Sequence, residues 1–328
     1  MEKLVNKSLL FKLLLLLSIA VIAGCGSKQS EHTDSKDESK VEGVDQEEQQ
    51  FPITFTDDAG REITIEKKPE TIISIQASIT ENLFAFGLGD KLIGISDYCN
   101  YPQETENITK VGGQDINVEL VLSLLPDIVF VTDYHYNAHP LVLKQFEEAG
   151  IQTVVVSGAE SFKDAYASME MIGKAVGAES EAKALIEDMQ ERHEAIKEKA
   201  KEVTEKKRVY VEIFPEPDIF TVGKNTFIHE MLESIQAINV SGDQEGWVKM
   251  NEEEAVSLNP DVIITTYGFY SENPKDQILA RDGWQEVPAV KNKEVYDVHN
   301  DTVTRPGPRL IEGVETLAEI IYPEIFKQ

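Results

Sequence analysis

Tyr134, His135, Tyr136 and His139 fall within six residues of one another, and tyrosine or histidine can hold the iron of a haem. The same spacing would admit zinc if a third ligand joined the two imidazoles. No third partner clusters with them, so His135 and His139 are read as polar loop residues. Catalysis has less to work with. The chain contains no nucleophile elbow and no glycine loop shaped to cradle a phosphate. Carboxylates such as Asp133 and Asp301 stand alone in the sequence and need a positioned partner before they can act. The expectation is a binding protein without a cofactor or bound metal, not an enzyme. For an anionic ligand, Arg305 and Arg309 are the main cationic candidates.

A second group of residues points to a large ligand. Tyr98, Tyr101, Tyr134, Tyr136, Phe214, Trp247, Tyr267 and Phe269 each follow a strand-like run or lie in an irregular segment. Loops at strand ends carry function, and flat aromatic faces suit a flat macrocycle. The elements that must present them alternate. Ile- and Val-rich runs at 71–75, 91–95, 127–131 and 151–156 read as buried strands, with helices at 80–86, 118–125 and 140–149 between them. A second set follows, with strands near 208–213, 219–222, 261–265 and 294–298 and helices near 227–234, 252–258 and 309–321. Between the sets, 179–203 has neither Gly nor Pro, and its apolar residues fall mostly three or four apart, which predicts one continuous helix. The expected fold is α/β, two pseudo-symmetric lobes (51–175 and 207–328) joined by a long connecting helix within 176–206. The ligand belongs in the cleft between the lobes, where large concave sites form.

An internal echo supports the two-lobe plan. Asn117-Val118-Glu119-Leu120-Val121-Leu122-Ser123-Leu124-Leu125-Pro126-Asp127 aligns without a gap to Asn251-Glu252-Glu253-Glu254-Ala255-Val256-Ser257-Leu258-Asn259-Pro260-Asp261. In each copy the Asn caps a helix, a Glu sits in the first turn where the macrodipole favours negative charge, and Pro-Asp ends the helix before a strand. A single repeat at this separation signals paired domains rather than a solenoid.

Of 328 residues, 59 are acidic and 31 are Lys or Arg, giving a formal charge of -28 that repels phosphate backbones, so no nucleic-acid partner is expected. With Cys25 and Cys99 as its two cysteines, the chain is not stapled by disulfides. Residues 1–24 carry Lys3, Lys7 and Lys12 before an apolar run too short for a comfortable span, the layout of a secretory leader. Residues 25–50 are polar, with Val41 and Val44 as their large apolar side chains, and read as a disordered tether. Ile22-Ala23-Gly24-Cys25 resembles a lipobox, which implies cleavage before Cys25 and diacylglycerol on its sulfur, anchoring the chain at the outer face of the cell membrane.

The lipobox, the tether, the echoing lobes and the long middle helix together resemble the substrate-binding lipoproteins of ABC importers that take up cobalamin, iron-siderophores or haem. Lys68-Pro69-Glu70-Thr71-Ile72-Ile73-Ser74 leading to Thr80-Glu81, then Gly94-Ile95-Ser96-Asp97-Tyr98-Cys99-Asn100-Tyr101-Pro102, and Arg305-Pro306-Gly307-Pro308-Arg309-Leu310 are most similar to the cobalamin-binding group. The resemblance implies a cobalamin-like ligand, with haem or a ferric siderophore as the alternative. It places Trp247, Asp301 and Arg305 on ligand-contacting positions. A tryptophan that some relatives carry in the first lobe is replaced here by the Gly112-Gly113 region. The resemblance also implies that Glu119 and Glu253, one per lobe, dock onto an ABC permease dimer driven by cytoplasmic ATPase subunits.

Overall fold

The computed structural model describes residues 50–327. The leader 1–24, Cys25 and the tether up to residue 49 lie outside the described residues.

The amino-terminal lobe opens on an antiparallel pair, β1 (Ile53–Thr56) and β2 (Glu62–Ile65). A parallel sheet follows, built from β3 (Ile72–Ser74), β4 (Leu92–Ile95), β5 (Ile128–Thr132) and β6 (Gln152–Val156) in the order β4-β3-β5-β6. Its central strands are continuous runs of buried residues, as expected when helices cover both faces of a sheet. Around it lie α1 (Ala77–Ala85), α2 (Val118–Leu124), α3 (Asp133–Ala138) and α4 (Pro140–Glu148). The helix α5 (Phe162–Val176) ends on Gly177, whose φ of 68° is the left-handed turn that lets the next helix begin two residues later. That helix, α6 (Glu179–Ala200), is the continuous element predicted over 179–203.

The carboxy-terminal lobe contributes β7 (Arg208–Glu212), β8 (Phe220–Val222), β9 (Ile238–Asn239), β10 (Trp247–Lys249), β11 (Val262–Thr265) and β12 (Val295–Asp297). Four of these form a parallel sheet in the order β12-β11-β7-β9, while β8 and β10 pair as an antiparallel ribbon. Its helices include α7 (Phe227–Ser234), α8 (Glu252–Ser257), α9 (Asn300–Thr304) and α10 (Leu310–Ile321). Numbered along the chain, the parallel strands of both sheets run 2-1-3-4, so the repeat seen in sequence is a repeat of topology. One buried apolar cluster runs from Ile72 and Phe130 through Met169, Ile172 and Met189 to Val209 and Leu317. The lobes thus share a core through α5 and α6. Arg192 of α6 adds a two-pronged ion pair to Glu315 of α10 at 2.9 Å.

The echo extends to single side chains. Asn117 accepts from the Leu120 amide (3.1 Å) and Asn251 from the Glu254 amide (2.9 Å), each capping its helix. Ser123 and Ser257 both return their hydroxyls to the carbonyl three residues back. Leu125 and Asn259 both take a left-handed φ of 49°, while Asp127 accepts from the Thr71 amide just before β3 and Asp261 from the Arg208 amide that opens β7.

Candidate functional site

In open 2-1-3-4 sheets the ligand crevice lies beyond the carboxyl ends of the strands, where the strand order reverses. That position is hollow in the amino-terminal lobe. A cavity of about 350 Å³ sits past the ends of β3, β4 and β5, and Gln76, Ser78, Tyr98, Tyr134 and, from the other lobe, Arg305 are among its walls.

Two of the predicted tyrosines face this space because of local geometry. Asp133–Ala138 is a helical turn, not a loop, so residues two apart point in opposite directions. Tyr134 therefore lines the cavity, whereas Tyr136 packs against the lobe's own apolar cluster with the Arg61 guanidinium 5.3 Å over its ring. Tyr136 is thereby corrected from a cleft residue to a packing residue. The reading of His135 as a polar loop residue also fails. It is buried, its Nε2 donates to the Gly113 carbonyl (2.9 Å), and its Nδ1 accepts from the Thr132 hydroxyl (2.7 Å). Burial pulls its pKa below the ordinary imidazole value, and with both nitrogens engaged it has none to give a metal. His139 lies 5.6 Å from the Tyr134 ring. A Cβ on Gly113 would come within 2.5 Å of the Tyr98 ring, which occupies the space beside the cavity.

The cavity's other edge is an ion cluster that crosses the lobes. Glu81 on α1 is buried, and Arg309 grips it with two bonds of 2.8 Å. Arg305 meets the same carboxylate at 3.0 Å, Asn100 Oδ1 at 2.7 Å and Asp301 at 2.9 Å. Asn100 in turn donates to Asp301 at 3.1 Å. Helix α9 makes the pairing of Asp301 with Arg305 possible, since the two stand one turn apart. Tyr101 lies 4.0 Å beneath Arg309, so its ring is partly spent on a cation instead of a ligand. Sequence reasoning named Asp301, Arg305 and Tyr101 and listed Arg309 as a cation, but missed Glu81 and Asn100 as their partners. The signal was present in the Thr80-Glu81 and Cys99-Asn100-Tyr101 motifs, without any cue that they meet residues two hundred positions away.

On the second lobe, Phe214 follows β7, Phe269 follows β11, and Trp247 stands on the β8–β10 ribbon that Phe214 joins through Phe220. All three keep more than half of their surface exposed, and Tyr270, not singled out from sequence, lies between Phe214 and Phe269 at 6.4 and 4.7 Å. Tyr267 does not join them. Its ring is wholly buried and its hydroxyl donates to Glu212 at 2.7 Å, a carboxylate also held by Arg281 at 2.8 and 2.9 Å. A buried carboxylate needs such donors, and that need draws Tyr267 inward. At the neighbouring Gly268 a Cβ would meet the Asp297 carboxylate at 2.1 Å, so a side chain there would push that carboxylate from its bonds to Thr265 and the Gly268 amide.

Glu119 and Glu253 are exposed in the first turns of α2 and α8, outside the cavity, and neither makes a hydrogen bond or ion pair among the described residues. Among the described residues no helix is long and apolar enough to cross a membrane, and no group of three His, Cys, Asp or Glu is arranged to hold a metal ion.

Comparison with known proteins adds to this geometry. Residues 72–302 match the family model described as periplasmic binding protein. The chain is 45% identical over 316 residues, 96% of its length and 97% of the relative's, to an ABC transporter substrate-binding lipoprotein, YvrC, of Bacillus subtilis (strain 168). It is 29% identical over 262 residues to the vitamin B12-binding protein of Vibrio parahaemolyticus, covering 78% of this chain and 91% of that one. A possible iron-binding (periplasmic solute-binding) protein of Staphylococcus epidermidis has a solved structure with a TM-score of 0.71 at 32% identity, covering 78% of this chain and 100% of that one.

Proposed function

This chain belongs to the periplasmic binding protein family and is the substrate-binding lipoprotein of an ABC importer; we propose that its cargo is a cobalamin-type corrinoid held noncovalently between the lobes. The observation that carries the reading is the set of exposed aromatic rings that follow strands of both parallel sheets. Tyr98 and Tyr134 line the cavity of the first lobe, and Phe214 and Phe269 follow β7 and β11 of the second, with Trp247 exposed on the β8–β10 ribbon. Such rings supply apolar contact to a large planar molecule, while Asp301 and Arg305 offer polar contacts at its edge. The vitamin B12-binding relative supports the same ligand class. In this reading residues 1–24 are removed, diacylglycerol on Cys25 anchors the chain, and 25–50 tether the lobes 51–175 and 207–328 and their connector 176–206 at the outer membrane face. Glu119 and Glu253 meet the two permease subunits.

Absorbance and calorimetric titration with cyanocobalamin test the ligand. Saturable binding is expected, and Trp247→Ala should weaken it by about 1–3 kcal/mol if the indole packs on the corrin. A second reading, haem or another ferric ligand, is favoured by the Tyr134 phenol at the cavity wall and by the possible iron-binding relative. Absence of any response to cyanocobalamin beside a saturable response to haemin would transfer the assignment.

A further inference from the structure

We infer that the cleft, taken as the corrinoid site proposed above, selects ligands whose edge carries uncharged amides and works against ligands bearing carboxylates there. Arg305 is the one lysine or arginine lining the cavity among the described residues. Its charge is already answered. A guanidinium has five N–H donors, and Nη1 of Arg305 is shared between Glu81 and Asn100 while Nη2 is given to Asp301 and, at 3.5 Å, to the Tyr98 carbonyl. Arg309 is bound to Glu81 by two bonds and stands 3.6 Å from Asp301. Two guanidinium groups therefore face two carboxylates, and the cluster is neutral as a whole. Burial lowers the pKa of the remaining imidazole of the wall, His135, and both of its ring nitrogens are already taken, by the Gly113 carbonyl and the Thr132 hydroxyl. The nearby Lys110 ammonium is directed to the Cys99 carbonyl at 2.6 Å.

An incoming carboxylate either accepts from the Nε–H of Arg305 and lies beside Asp301 with no spare positive charge to answer it, or takes the guanidinium from its partners. Glu81 is almost wholly enclosed, so losing one of its two cations leaves a buried negative charge less compensated and a second anion close by. An amide makes no such demand. Its carbonyl can accept from the free Nε–H of Arg305, and its NH₂ can donate to lone pairs of Asp301 that the cluster leaves open. The outer surface reinforces the choice, since the formal charge of -28 opposes the approach of any polyanion.

The test compares cyanocobalamin with its separated monocarboxylic acids, each differing by hydrolysis of a single propionamide on the same corrin, by calorimetry at pH 7 and low salt. At least one isomer should bind roughly tenfold or more weakly, because its carboxylate meets Asp301 where no cation is left to answer it. Asp301→Asn removes one of the two anions and should narrow that gap. Equal affinity for cyanocobalamin and every monocarboxylic acid, or a gap that Asp301→Asn leaves unchanged, overturns the selectivity and leaves the corrinoid reading standing. No saturable response to cyanocobalamin itself removes the corrinoid reading, and this inference with it.

Discussion

Glu212 is a carboxylate with no exposed surface, at the end of the strand that leads into the aromatic wall of the second lobe. Arg281 binds it through both terminal nitrogens and reaches Glu216 at 2.6 Å through Nε, so one guanidinium ties down both sides of the loop that bears Phe214. Tyr267 ties the Phe269 loop to the same carboxylate. The bonds are unequal in what their loss leaves behind. Arg281→Met strands a buried anion and should cost about 3–5 kcal/mol of folding stability. Tyr267→Phe removes a neutral donor from a carboxylate that keeps its cation, and should cost about 1.5–3 kcal/mol. Urea denaturation of the two variants checks the order, which would be wrong if Tyr267→Phe proved the more damaging. Burial raises the Tyr267 phenol far above its ordinary pKa, so its hydroxyl stays a donor across the whole range in which the protein is folded.

Among the elements, the parallel strands were legible because their signal is local. A run such as Ile128-Val129-Phe130-Val131 is apolar at every position, which fits a strand covered on both faces. The helix caps were legible for the same reason, with Asn117 and Asn251 each bonding within their own turn. The site was read less completely because its determinants are not local. The helical turn at Asp133–Ala138 reverses the roles of Tyr134 and Tyr136, and the partners of Asp301 and Arg305 come from the opposite lobe. Long helices carry a further consequence at their meeting point. His193 of α6 lies 4.4 Å from the Phe162 ring of α5, and its Nε2 donates at 2.7 Å to the Ser234 hydroxyl of α7, whose own proton goes to the Glu230 carbonyl. Burial, aided by Lys197 one turn on, lowers its pKa from 6.5 to about 4. Below pH 6.5 the unfolded chain gains a proton that the folded chain refuses until about pH 4. Stability present at pH 7 is therefore lost as pH falls through that window, by up to about 3 kcal/mol. His193→Gln abolishes this component. The stability difference between wild type and His193→Gln should change steadily between pH 7 and 4 in denaturant melts, and a constant difference would sink the assignment.

At the scale of the whole molecule, two lobes of one topology place two equivalent helix starts on a body stiffened by a shared core. A pseudo-two-fold protein with matching charges suits a partner that is itself two-fold, because each half can then meet the same complementary patch. Glu119 and Glu253 satisfy that description in sequence, in helix position and in exposure. A purely local role, stabilising the first turn, would account for about 0.3–1 kcal/mol each. The two roles separate under charge reversal. Glu119→Arg with Glu253→Arg should lower stability only slightly and leave ligand affinity unchanged, since neither residue lines the cavity. Uptake by cells should nevertheless collapse, because attraction between each carboxylate and its complementary patch on the permease would turn into repulsion. Single reversals should each retain part of the transport, as one half of the interface survives. Uptake equal to wild type in the double variant would refute docking through these carboxylates, whereas lost affinity in the purified double variant would move them into the binding site.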